Sequence, residues 1–194
     1  LMQLLPELRK RPNPYQVLVY AGTHQDIYDM VKDIAANNWV GLNEITLRDP
    51  ADFRPGAKIN YKSKPIGKAR LSLIYHPQIV DANELLIRYG FPWADGFISK
   101  PSGDMAYDAA ASGSFLLTLR EWGEWEHNIR QIFEEKRIAR QAQTDNIVAQ
   151  LEALRSAKGK AQSWIEQAMN KAQSIDSLYL KGAEKINQTV LNAD

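Results

Sequence analysis

Between residues 15 and about 140, short apolar runs and amphipathic stretches follow one another in strict turn, and this alternation leaves few folds open to the chain. A strand that feeds a helix and then another strand is joined by a right-handed crossover, so the strands lie parallel and the helices cover the sheet. The expected architecture is α/β, a Rossmann-like, doubly wound parallel sheet with helices on both faces. On such sheets ligands sit at the carboxyl ends of the strands.

The elements can be placed one by one. Tyr15 to Tyr20, rich in β-branched and aromatic residues, follows a Pro-Asn-Pro breaker and reads as a buried first strand running into Ala21-Gly22-Thr23. From Asp26 to Ala36 the spacing of Ile27, Met30, Val31 and Ile34 predicts a helix, stopped at Asn37-Asn38. Ile45-Thr46-Leu47 and Lys58 to Tyr61 are short strand candidates around a proline-bounded loop. Arg70 to Tyr75 is a clearer strand, ended by His76-Pro77 and followed by a helix over 79–89 with Val80, Leu85 and Leu86 inward. Asp95 to Ser99 is strand, Asp104 to Ser112 helix closed by Gly113, Ser114 to Leu119 the last strand, and Glu124 to Ala139 a helix.

From about residue 141 the character changes, with no proline, only two glycines, and much Ala, Gln, Glu, Lys and Leu. This is expected to be an all-helical tail of three helices, 143–157, 159–172 and 175–192, each with a narrow apolar stripe. Such stripes pack on the sheet or on each other; self-association is the alternative use. The segment 1–14, with its prolines and the basic Arg9-Lys10-Arg11, has the character of a linker. The domain reading is thus linker-like segment 1–14, α/β unit 15–140 and helical extension 141–194. A chain that opens on Leu1 rather than Met is expected to be processed, or the C-terminal piece of something longer.

Composition narrows the function classes. The 194 residues carry 24 basic and 23 acidic side chains, a formal net charge of +1, whereas nucleic-acid binding draws on a surplus of phosphate-neutralising cations. No nucleic-acid partner is expected. With no cysteine there is no disulfide framework and no thiolate metal site. No apolar run approaches the roughly 20 residues of a spanning helix, so the expected location is cytoplasmic, at most peripheral to a membrane. His24, His76 and His127 are too scattered for a metal cluster, and no metal is expected.

The junction Lys100-Pro101-Ser102-Gly103-Asp104-Met105 carries the most chemistry. It joins a strand to a helix whose first backbone N–H groups have no partner within the helix. Those donors and the positive end of the helix dipole favour an anion, by about 0.3–1 kcal/mol per charge at an exposed end. Gly103 lets a phosphate approach the backbone, Ser102 adds a hydroxyl, and Asp108 stands where a carboxylate could hold a ribose diol. An ordinary capped helix start would look much the same.

The run KPSGDMAYDAAASG, Lys100 to Gly113, resembles the segment KPGG-x-T-x-x-E-A-x-x-x-G of the C-terminal domain of family 28 glycosyltransferases, without a gap. Those enzymes include the bacterial peptidoglycan precursor N-acetylglucosaminyltransferase and the plastid galactolipid synthases. About ten residues on, their GQ-E-x-x-N helix start is similar to Gly123-Glu124-Trp125-Glu126-His127-Asn128 here. The resemblance implies the donor-binding half of a GT-B fold, taking a nucleoside-diphosphate sugar, UDP-sugar first, with no tightly bound cofactor. It implies Gly22, Thr23, Ser102, Gly103 and Met105 around the diphosphate, and Asp108 at the ribose. It also implies Tyr75 and His76 near the base, with Glu124, Trp125 and Asn128 on the donor-sugar side. Met105 replaces a usual Thr and Asp108 a longer Glu. The acceptor site and catalytic base would come from an N-terminal domain or a separate subunit, as in two-subunit eukaryotic transferases.

Two other classes stay open at this point, a GT-B-like sugar-nucleotide epimerase and a non-catalytic binding or assembly module acting through the tail. A nicotinamide dehydrogenase is disfavoured because no GxGxxG follows an expected strand. Trp122 and Trp125 flank the second motif and are candidates for stacking on a sugar; Trp39 and Trp93 are expected to be core, and His127 a helix-surface residue.

Overall fold

The computed structural model describes residues 4–9, 15–38, 42–45, 70–157, 159, 161–175 and 188. These fall into two compact units, 1–93 and 94–194.

The first unit is built on a three-stranded parallel sheet: β1 (Val17–Gly22), β2 (Leu42–Ile45) and β3 (Leu71–Tyr75) in the order β1-β3-β2. Both pairings start at Leu71, opposite Val17 on one side and Leu42 on the other. Side chains alternate across a strand, and β3 shows the result. Leu71 and Leu73 pack with Val19, Val31 and Ala35, while Ile74 packs with Ile45 and Leu85. Helix α2 (Gln25–Asn38) supplies Val31 and Ala35 to one cluster, and α3 (Ile79–Leu85) supplies Leu85 to the other, so both faces of this sheet are covered. Immediately after α3, residues 86–90 widen into a π-helical turn closed by Phe91 N–H on the Leu86 carbonyl at 3.0 Å. Residues 4–9, in the segment read as linker-like, form helix α1 (Leu4–Arg9), and its Leu5 is buried in the α2-side core.

The second unit holds another parallel sheet, β4 (Gly96–Ser99), β5 (Phe115–Thr118) and β6 (Ala139–Gln141), in chain order. Helix α4 (Gly103–Ala111) follows β4 and α5 (Glu124–Glu135) follows β5; after β6 come a 3-10 turn over 144–146, then α6 (Ile147–Arg155) and α7 (Trp164–Gln173). Ala106, Ala109 and Ala110 of α4 meet Leu116, Ile129 and Phe133, and Ala172 of α7 joins the same core. The small side chains let the helices lie close. At Gly96 a Cβ would stand 2.3 Å from the Phe115 ring, so only glycine fits there.

The α/β class with parallel strands and covering helices is observed, but as two three-stranded sheets. Strand β2 ends at Ile45, where the expected one begins; the strand expected over 58–61, Trp39 and, apart from residues 175 and 188, the helix expected over 175–192 lie outside the described residues. The helix expected to reach Ala139 stops at Glu135, and Ser114–Leu119 is not the last strand, because β6 follows. The helix ends in a Schellman cap with Arg137 left-handed (φ 59), Ile138 N–H bonding the Phe133 carbonyl and Arg137 N–H that of Glu134. Val80, expected inward, is 74% exposed. The inward face of α3 runs through Ala82 and Leu85, with Leu86 beyond it; Val80 falls with Asn83 and Ile87 on the other side. In the tail, Ile147, Leu151 and Leu154 are buried as expected, and α7 packs on α4, α6 and β5. No helix among the described residues is long and apolar enough to cross a membrane.

Candidate functional site

In the second unit the residues singled out by sequence gather where β4 and β5 end. Ser102 is the N-cap of α4 in extended conformation (φ −70, ψ 152), but its side chain makes no capping hydrogen bond. Gly123, the N-cap of α5, has no side chain to offer. By contrast α7 closes its own start with a capping box, Ser163 and Glu166 bonding each other's backbone N–H. Both helices at the strand ends therefore keep first-turn N–H donors unengaged by a side-chain cap.

Lys100, the last residue before the turn, places its ammonium over the Trp122 ring. That nitrogen is buried and has no hydrogen-bond partner among the described residues. The ring face offsets part of the cost of burying the charge, and the N–H donors of the ammonium stay open to an anion. Gly103, the first residue of α4, faces α5: a Cβ there would lie 3.7 Å from Ile129 and 4.0 Å from Trp125, ordinary contact distances. The fold itself thus tolerates a methyl group at 103. Met105 is half-buried, Asp104 turns to solvent, and Asp108 is exposed. The Asp108 carboxyl is raised from its ordinary value, by partial desolvation first and by the like charge of Asp104 second.

Residues 120–124 with His127 and Gln141 line an open hollow of about 560 Å³. Trp122 and Trp125 are 87% and 72% exposed, large apolar surfaces beside the start of α5. Glu124 and Asn128 are exposed on that helix, and Glu126 reaches back to accept the Trp122 N–H at 2.7 Å. The acidic first turn of α5 disfavours an anion, whereas α4 has Lys100 beside it. The two helix starts are chemically unequal.

A charged network that sequence reasoning did not anticipate braces the hollow. Glu121 Oε1 lies 3.1 Å from both His127 Nδ1 and Arg130 Nη2, and Arg130 Nη1 donates to Glu134 at 2.9 Å. Arg130 Nη2 also approaches His127 Nδ1 at 3.2 Å. One ring nitrogen cannot both donate to Glu121 and accept from Arg130. The carboxylate is the stronger acceptor, so we place the proton on Nδ1, which leaves Nε2 as an acceptor. The Glu121 carboxyl is lowered to about 2, by its own backbone N–H first, then by His127 and Arg130. His127 is thus half-buried and tied to the loop, more than a surface residue. Its spacing from Arg130 (i, i+3) was the available signal.

In the first unit the other expected residues also share one strand edge. Gly22 has φ 59, a conformation that favours glycine, and its carbonyl accepts the His76 N–H at 3.1 Å. Tyr75 pairs with Gly22 in the β1–β3 ladder, so Gly22, Tyr75 and His76 are neighbours, with Thr23 exposed in the turn beside Gly22. The Tyr75 ring packs on Tyr28 with centroids 4.6 Å apart, and His76 Nδ1 accepts the Gln78 N–H at 3.1 Å. Both side chains are engaged by their own unit. No group of three or more His, Asp or Glu side chains that could hold a metal occurs among the described residues.

Compared with protein-family models, with curated proteins and with solved structures, the chain finds no match in any of the three.

Proposed function

We propose that the chain is the donor-binding half of a GT-B-type glycosyltransferase similar to family 28, and that it holds a UDP-sugar at the carboxyl ends of β4 and β5. The observation that carries this reading is the unsatisfied Lys100 ammonium beside the open start of α4. The diphosphate would lie on that helix start, with Ser102 and Gly103 against it and Met105 at its edge. Asp108 would take the ribose hydroxyls. Glu124, Trp125 and Asn128 would face the sugar. Gly22, Thr23, Tyr75 and His76, for which the resemblance implies phosphate and base contacts, belong to the first unit and form no part of this site.

In such a transfer the bond from the sugar's anomeric carbon to the diphosphate oxygen breaks, and an acceptor oxygen takes its place. The departing diphosphate keeps the electron pair and gains charge. Groups aimed at that developing charge do the catalytic work available to this half: the α4 N–H donors and Lys100. The acceptor site and the base that removes the acceptor's proton are assigned to a partner domain or subunit.

Calorimetric titration with UDP, GDP and dTDP tests the reading. UDP is expected to bind most tightly, and Asp108→Ala to weaken it by about tenfold or more, the worth of hydrogen bonds to a charged group. Gly103→Ala is the sharper test. The fold tolerates the methyl, so the melting temperature should hold or rise slightly, while UDP binding falls. No binding by any of the three nucleotides, or equal binding by both variants, overturns the proposal.

A further inference from the structure

A second hollow in the same unit, about 620 Å³, opens between β6 and α7 and is lined by Arg137, Arg140, Lys171, Trp164 and four glutamines. That size suits a small ligand. Three cations line it, and no carboxylate among the described residues pairs with any of them. Glu134 also faces the hollow, but it is already bonded to Arg130 at 2.9 Å. The Arg140 guanidinium stacks on the Trp164 ring, 4.9 Å from its centroid, and Phe115 meets that ring edge-on at 6.1 Å. A guanidinium held this way keeps its in-plane N–H fork free for an oxyanion.

The backbone around the hollow is specified in detail. Gln150 is buried and uses both ends of its amide, accepting from Gln143 N–H and donating to the Gln141 carbonyl, each at 2.8 Å, which pins the turn after β6. Arg137 is the one non-glycine residue with positive φ among the described residues. The equivalent cap position of α4 is Gly113, with φ 81 and the same bonding pattern. An arginine at a site where glycine is easier accepts strain, and it brings a third cation to the hollow.

We infer that this hollow is a binding site for a phosphate ester carrying hydroxyl groups, of the sugar-phosphate or lipid-headgroup kind. The guanidinium groups and Lys171 would take the phosphate. The Gln141, Gln143 and Gln167 amides suit hydroxyls, and the edge of Trp164 suits the apolar face of a ring. The inference does not rest on the donor-site proposal, although Gln141 borders both hollows.

The test uses inorganic phosphate and glucose 1-phosphate in calorimetry at low ionic strength. Co-sedimentation with phosphatidylcholine vesicles containing phosphatidylglycerol forms the second arm. Binding in either arm should weaken by about tenfold in Arg140→Gln. Arg137→Gly should weaken it as well while raising the melting temperature, so loss of binding cannot be loss of fold. Binding of the soluble esters marks a metabolite site, and binding of vesicles alone marks a headgroup site; each supports the inference when the two variants reduce it. UDP affinity in these variants should match that of the unaltered chain, which separates this site from the one on α4. No binding in either arm, or binding indifferent to both substitutions, overturns it.

Discussion

Glu121 shows how much one half-buried loop carboxylate can be asked to do. It closes the turn after β5 through its own backbone N–H, and holds His127 and Arg130 in place. Its folded pKa, about 2, lies below the value it has in an unfolded chain. As the pH falls, the unfolded chain takes up a proton that the native one refuses. The stability contributed is therefore whole above the usual carboxylate range and is lost on the way down to about 2. Glu121→Gln should melt below the unaltered chain near neutral pH, with the difference shrinking steadily on acidification. A gap that stays constant across that range would mean the carboxylate's charge plays no part.

At the scale of elements, the two helix ends of the second unit form a natural comparison. Helices α4 and α5 terminate in the same pair of backbone bonds, one with Gly113 and the other with Arg137 at the left-handed position. Gly113→Ala is expected to cost about 1–2 kcal/mol, from the left-handed backbone and from a Cβ placed 2.9 Å from Gln173 Cγ. Arg137→Gly should instead gain up to about 1 kcal/mol, less whatever the freer unfolded chain takes back. Denaturant midpoints of the two variants should move in opposite directions. Equal shifts would contradict the equivalence of the caps.

For the molecule as a whole, the main consequence is that the described residues form two sheet centres, each with its own core. β3 lies between β1 and β2, and β5 between β4 and β6. Ser72, Leu73 and Ile74 are buried in one, and Leu116, Leu117 and Thr118 in the other. Hydrogen exchange should show these two strands as separate maxima of protection, because amides in central strands open only with their whole unit. Strong protection in one strand and none in the other would show that only one unit folds stably.

The sequence by itself determined the elements whose apolar spacing is regular or whose ends are marked by glycine and proline. Strands β1, β3, β4 and β5 and helices α2 and α4 all lie within a few residues of their expected places. It also determined that Ser102, Gly103 and Asp108 on one side and Glu124, Trp125 and Asn128 on the other lie at strand ends, because a strand-to-helix turn puts them there in any parallel sheet. Strand β6 was not legible, since Arg137 does the stopping that a glycine would have announced, and three residues are too few to show a period. Val80 was misread because apolar spacing does not say which of two faces meets the sheet. Only the tertiary structure joined Glu121, His127, Arg130 and Glu134, placed Lys100 over Trp122, and set Arg140 on Trp164. The residues lining the second hollow span 134 to 171 and are brought together by packing of α7 on the sheet. Local periodicity reports what a segment does with its own neighbours; contacts across such spans depend on packing, which no local pattern encodes.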